Sequence, residues 1–218
     1  MIRLHHCPQA RSFRTLWLLK EMGLAFEVVY RSFLSGELRG DGYLALSPAG
    51  RVPALEIDGR VLFESGAITE YLCETRASPL WRPPGDAERA DWLQWLHFAE
   101  TIGQHLAALT QQHIVLYEDH MRSATVMKLE ARRLEKTLEV VERAVSRRDW
   151  LLESGFSAVD TNVGYGVMVA RRFVALDPLP ATKRYLERLE NRPAFRAALD
   201  EDGKPEIYLK PFYGRPDG

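Results

Sequence analysis

Two short stretches of the 218-residue chain carry residue types whose spacing could do chemistry. The first is His5-His6-Cys7-Pro8, at the end of a strand-like run. Proline suits the first position of a helix, where its missing N–H costs nothing, so Pro8 places Cys7 at or near an N-cap. A free thiol titrates near ~8.5, and a helix N-terminus depresses that value, which would give Cys7 thiolate reactivity. The competing reading of Cys7 is a small buried residue at a strand end. The second stretch is Gly50-Arg51-Val52-Pro53. Pro53 stands at the front of a strand, where a ladder N–H is wanted and proline has none. A cis Val52–Pro53 bond would turn the N–H and C=O of Val52 outward, where an extended peptide could pair with them in strand fashion. A trans bond would simply open an edge strand. No spacing of His, Cys and Asp makes a convincing metal site.

These residues need elements to position them, and the first 75 residues alternate in period. Ile2 to His6 reads as a short strand. The stretch "ARSFRTLWLLKEMG" reads as a helix with Phe13, Leu16 and Trp17 on one face and Gly23 as its stop. "FEVVYRS" is a β-branched and aromatic strand, and Gly36 to Leu46 is a weak helix ended by Ser47-Pro48. "ALEI" and "VLF" are joined at Asp58-Gly59, a strong hairpin signal. "SGAITEYLCE" closes this half as a helix, with Ile68, Tyr71 and Leu72 at one-face spacing and Ser65 suited to its N-cap. The order is βαβαββα, with a right-handed parallel crossover in the first βαβ.

"TRASPLWRPPGD", with three prolines and a glycine, interrupts both periods and marks a boundary. The division predicted is residues 1–75, a linker at 76–86, and an all-helical part over 87–218. Trp92, Trp95, Leu96, Ala99, Ile102, Leu106 and Leu109 stripe a long helix from about Ala87. A charged helix runs from Met121 to Arg147. Ser157 and Asp160 form a carboxylate version of the capping box, ahead of a stripe of Val159, Val163, Val167, Ala170 and Val174. Two shorter helices follow near Thr182–Leu189 and Pro193–Leu199, and the tail "GKPEIYLKPFYG" is irregular. The class is therefore α+β.

Composition narrows the partners. The chain is 46% hydrophobic with a formal charge of -1, which disfavours nucleic acid and acidic membranes. Nothing approaches the ~18 to 20 apolar residues of a membrane span, and the first residues lack the apolar run of a signal peptide. Two cysteines make no disulfide framework, so a reducing cytoplasm is expected. Cys73, at the end of an apolar helix, is expected in the core.

The stretches "GRVPALEIDGRVLFESGAITEYL" and "FSAVDTNVGYGV", with "RSFRTLWLLKEMGLAFE" at the first helix, resemble the cytosolic glutathione transferase family in order and spacing over nearly the whole chain. The resemblance implies a thioredoxin-like N-terminal domain with a cis Pro53, a helical C-terminal domain, and a homodimer. It implies glutathione as co-substrate, no metal, and transfer to a small hydrophobic electrophile or reduction of a disulfide or peroxide. The alternative is a non-catalytic interaction or regulatory protein on the same fold.

In that family the Glu64-Ser65 pair contacts the γ-glutamyl group. Ser65 would bind its carboxylate with hydroxyl and N–H at the positive end of a helix, and Glu64 would face its ammonium. Val52 would pair its backbone with the cysteinyl part, and Arg51 could reach the glycine carboxylate or stay solvated. The donor to the glutathione thiol lies between the first strand and the first helix. Cys7 falls in the slot that holds Cys in the omega class and Ser in the zeta class. Ser12, in "ARS", is the second candidate, weakened by Ala10 where similar bacterial segments read "SRS". Backbone donors alone, with Arg11 as electrostatic help, are the third. A hydroxyl would support conjugation, whereas a cysteine would support mixed-disulfide chemistry. The electrophile is expected against Gln104, Ala108 and Gln111 on the long helix.

Overall fold

The computed structural model describes residues 1–214. Its N-terminal part is a four-stranded sheet in the order β2-β1-β3-β4. β1 (Arg3–His6) runs parallel to β2 (Glu27–Tyr30), in register Leu4 to Val28. It runs antiparallel to β3 (Ala54–Ile57), which pairs antiparallel with β4 (Arg60–Phe63). α1 (Ser12–Glu21) makes the crossover between the parallel pair, and α3 (Ser65–Thr75) follows the hairpin. Between β2 and β3 lie a 3-10 turn (Glu37–Arg39) and the short α2 (Asp41–Leu44). This is the βαβαββα arrangement expected, and it is thioredoxin-like. Asp58 and Gly59 both have positive φ, 52° and 74°, as the tightest hairpin turn demands.

The chain forms two compact units. The first comprises Met1–Pro83 together with Glu190–Leu209, and the second comprises Pro84–Leu189 and the residues from Lys210. In the first unit α8 (Pro193–Glu201) packs on α1. Phe195 meets the edges of Trp17 at 4.9 Å and Phe13 at 5.7 Å between ring centroids. Arg192 grips Glu21 with two bonds, at 2.6 and 2.7 Å, and Lys20 pairs with Glu201. α1 is thus buried on both flanks: every residue from Ser12 to Leu19 is inside.

The second unit is helical. α4 (Arg89–Thr110) continues into a π-helical turn (Gln111–Val115), then a 3-10 turn (Asp119–Met121), α5 (Ala124–Val145), α6 (Ala158–Ala170) and α7 (Pro180–Glu190). α6 is the central rod, buried along nearly its whole length. Its Gly166 lies against Ile102 of α4, where an added Cβ would stand 2.9 Å from Ile102 Cγ2. The predicted stripe of Val159, Val163, Val167, Ala170 and Val174 is wholly inside, although α6 ends at Ala170, ahead of Val174.

Asp160 anchors the start of α6. Its carboxylate accepts from the Ser157 N–H at 2.8 Å, the Leu151 N–H at 3.2 Å and the Tyr185 hydroxyl at 2.9 Å. Burial pushes its pKa up to about 6, with those bonds holding it back. Among the described residues no helix is long and apolar enough to cross a membrane.

Candidate functional site

The turn between β1 and α1 departs from expectation. Pro8 does not open a helix. Gln9 takes φ 61°, in the left-handed region, and α1 starts only at Ser12, with Arg11 ahead of it. A residue at that φ cannot sit inside a right-handed helix. Cys7 is therefore not the N-cap of α1, a position that Arg11 holds. Its side chain packs in an apolar cluster with Ala10, Leu38, Tyr43, Val52 and Ala54. Burial pushes its thiol up to about 12; Glu206 and Glu37 add to the rise and Arg31 opposes it. The depressed pKa expected for Cys7 is thus corrected: the direction is upward, because lost hydration disfavours the anion. Cys73 is buried as expected, and its thiol is also pushed up to about 12.

Ser12 is fully buried as well. Its Oγ accepts from the Cys7 N–H at 3.2 Å and donates to the Cys7 carbonyl at 3.3 Å. The hydroxyl closes the turn in both directions. Arg11 is half-buried at the leading end of α1.

The second stretch follows the sequence more closely. The Val52–Pro53 peptide is cis. The Val52 side chain belongs to the cluster around Cys7. The carbonyl ahead of it, on Arg51, accepts from the Tyr43 hydroxyl at 2.9 Å and from Ser47 Oγ at 2.8 Å, which fixes the approach to β3. The Arg51 side chain itself is exposed.

Glu64 and Ser65 exchange roles at the start of α3. Glu64, not Ser65, is the N-cap, with φ 71°, and Ser65 is the first helical residue. The Ser65 hydroxyl is not spent on capping. Instead Ser65 Oγ accepts from Arg14 Nη1 at 3.1 Å. A guanidinium only donates, so the hydroxyl hydrogen is left to point at a further acceptor. Arg14 is fully buried in α1. A cation, a hydroxyl donor and the leading N–H groups of an eleven-residue helix converge on one spot, which suits a carboxylate. The exposed Glu64 carboxylate beside it suits an ammonium. The pair matches the two charges of an α-amino-acid head.

Arg14 escaped the sequence reading, although a signal existed. It is an arginine set within the otherwise apolar run Phe13, Leu16, Trp17 and Leu18, where a charge has to have a purpose. The two histidines also differ from expectation. Strand alternation predicts one inside and one outside, yet His5 and His6 are both buried. His5 bonds Glu56 at 2.9 Å, and His6 bonds the carbonyl of Asp202 at 3.0 Å, so both faces of β1 are covered. Gln104 is exposed and Ala108 half-buried on α4, while the exposed Gln111 opens the π-helical turn. All three belong to the second unit. Among the described residues no group of three or more His, Cys, Asp or Glu could hold a metal ion.

Comparison with known proteins fits this geometry. Residues 1–74 match the family described as "Glutathione S-transferase, N-terminal domain". The chain is 30% identical to "Glutathione S-transferase 3" of Zea mays, over 85% of this chain and 87% of that one. It is 28% identical to a glutathione transferase of Methylococcus capsulatus, with a TM-score of 0.80, covering 93% of this chain and 98% of that one. A glutathione transferase of Pseudomonas putida, solved with one glutathione disulfide per subunit, is 27% identical at a TM-score of 0.80, over 93% of this chain and 92% of that one.

Proposed function

The chain belongs to the glutathione transferase family, and on that premise we propose that it activates the glutathione thiol with the backbone end of α1, not with a cysteine or serine side chain. Glutathione lies along Val52 and Pro53, its γ-glutamyl carboxylate on Ser65 and its ammonium on Glu64, with Arg51 reaching for the glycine carboxylate. The observation that carries the assignment is the turn itself. The Cys7 thiol is buried and pushed up to about 12, and the Ser12 hydroxyl is bonded in both directions to Cys7. The positive end of α1 favours a thiolate, with the half-buried Arg11 ahead of the helix as electrostatic help.

The chemistry follows. The thiol proton leaves to solvent. The thiolate attacks an electrophilic carbon, an S–C bond forms, and the leaving group departs with its electron pair. Reduction of a peroxide or disulfide proceeds through glutathione's own sulfur, the second glutathione completing the disulfide. The buried Cys7 supports neither a mixed disulfide nor a relay. The finer reading is a small hydrophobic electrophile contacting Gln104, Ala108 and Gln111, in a cytoplasmic homodimer that uses neither nucleic acid nor membrane. The family resemblance and the near-neutral charge support it.

Retention on immobilised glutathione, followed by conjugation of a chromogenic aryl halide, tests the assignment. Cys7→Ala is expected to keep turnover within a few-fold of the parent. A collapse of turnover in that variant, with glutathione retention intact, would return the thiol chemistry to Cys7.

A further inference from the structure

The segment Asp202–Tyr208 reaches back to the turn that carries the proposed thiol site. The point of contact is Gln9. Its backbone N–H donates to both carboxylate oxygens of Asp202, at 3.0 and 3.2 Å. Its side-chain oxygen accepts from the N–H groups of Ile207 and Tyr208, at 2.9 and 2.8 Å, and its side-chain nitrogen donates to the Tyr208 carbonyl at 3.3 Å. One side chain thus satisfies three backbone groups of an otherwise irregular strand of chain. Around it, His6 bonds the Asp202 carbonyl, and Glu206 accepts from Ser32 Oγ at 2.9 Å and the Phe33 N–H at 3.3 Å. Gly203, at φ 95°, lets the segment pass so close that an added Cβ would stand 3.2 Å from both Pro8 and Tyr30. All of this lies within the first compact unit.

Gln9 itself is at φ 61°, which a non-glycine residue rarely adopts. Such a conformation persists where the surroundings over-determine it, and it is often found beside a site whose geometry it sets. Here the consequence is direct. The left-handed Gln9 precedes the late start of α1 at Ser12 and so sets where the positive end of the helix stands.

We infer that Gln9 and Asp202 are positioning residues: the Asp202–Tyr208 segment clasps the β1–α1 turn in the shape that aims the start of α1 at the glutathione sulfur. The inference rests on the proposed thiol site. It also removes the Gln9 amide from the list of groups able to reach the sulfur, because both ends of that amide are spent on the clasp.

The test uses the full chain and three readings: kcat and KM for glutathione, the pH titration of bound glutathione thiolate by ultraviolet absorbance, and hydrogen exchange at the Ile207 and Tyr208 amides. In Gln9→Ala, exchange at both amides is expected to rise. The bound thiol should titrate at higher pH, and kcat at neutral pH should fall about tenfold, with KM within threefold. Gln9→Glu keeps the acceptor for both amides but loses the donor to the Tyr208 carbonyl, and is expected to recover part of the protection at the Ile207 and Tyr208 amides. Asp202→Ala, which cuts the bonds to the Gln9 N–H and the contact of the same carboxylate with His6 Nε2 at 3.2 Å, is expected to act in the same direction as Gln9→Ala and serves if that variant does not fold. Faster exchange with unchanged thiol titration and kcat overturns the inference, as does unchanged exchange. If the unaltered chain binds no glutathione, the proposed function falls first and the positioning role falls with it.

Discussion

At the scale of single residues the decisive contrast is between Cys7 and Ser65. Both stand at the end of a strand and the approach to a helix, and both are almost wholly inside. Cys7 is surrounded by apolar groups, and burial pushes its thiol up to about 12. Ser65 has the Arg14 guanidinium behind it, which sets the hydroxyl as a donor. Opposite consequences follow for substitution. Cys7→Ala should cost stability through the lost sulfur contacts, about 1 kcal/mol, while leaving conjugation in place. Ser65→Ala should weaken glutathione binding roughly tenfold or more, since a hydrogen bond to a charged group is worth about 1.5–3 kcal/mol. Equilibrium titration with S-hexylglutathione, which lacks the free thiol, would separate that loss from any effect on chemistry. Equal affinity in Ser65→Ala and parent would remove Ser65 from the site. The helix start at Ser65 was legible in advance, since "ES" opens a helical run. Arg14 was not, because amphipathic periodicity reports only the apolar members of a face, and Arg14 sits where Phe13 and Trp17 set the pattern.

The elements bring in forces that single residues do not. α6 depends on close approach to α4 and on a buried carboxylate at its start. Gly166→Ala puts a methyl 2.9 Å from Ile102 Cγ2, where one of the two helices has to yield. Overpacking of that kind costs about 1–3 kcal/mol, so a lowered denaturant midpoint is expected; an unchanged midpoint would mean the helices can part without penalty. Asp160 gives a pH dependence whose sign is set by its raised value. Burial is the leading cause, and the folded-state pKa of about 6 stands above the ordinary aspartate value of 3.8. The protonated form is therefore favoured by folding. Its contribution is fully present below the unfolded value and is lost as pH rises through about 6. Between pH 7 and pH 5 the parent should gain about 1 kcal/mol from this group. Urea unfolding of the parent and Asp160→Asn at both pH values checks it, because the difference between them should change by that amount. A constant difference would deny the titration. The capping box itself was readable from Ser157 and Asp160. The bonds from Leu151 and Tyr185 to the same carboxylate were not, since they join residues that no local spacing relates.

For the molecule as a whole, ligand and fold are linked by mass action. A ligand that binds only the folded chain raises its stability by about 2.7 kcal/mol at a hundredfold excess over Kd. Glutathione in such excess is expected to raise the melting temperature of the parent by a few degrees and that of Ser65→Ala by much less at the same concentration. A thermal scan in which both respond equally would place the binding elsewhere. The architecture was legible because its signals are periodic and local. Apolar alternation marked the four strands, 3.6-residue stripes marked the long helices, and Asp58-Gly59 marked the hairpin. The family resemblance extended these to the cis Val52–Pro53 bond, which spacing alone left open. The helix α8 was read correctly as a helix, but nothing in its stripe says that it packs on α1 in the first unit.

By itself, then, the order of residues determined the elements and their sequence, βαβαββα followed by helices. These rest on hydrophobic period, turn chemistry and backbone restriction, all of which act over a few residues. Only the tertiary structure decided which groups there can react. Whether a thiol ionises depends on what excludes water from it, and whether a hydroxyl donates depends on what already donates to it. Those neighbours, Leu38 and Tyr43 for Cys7 and Arg14 for Ser65, are brought in from elements far along the chain.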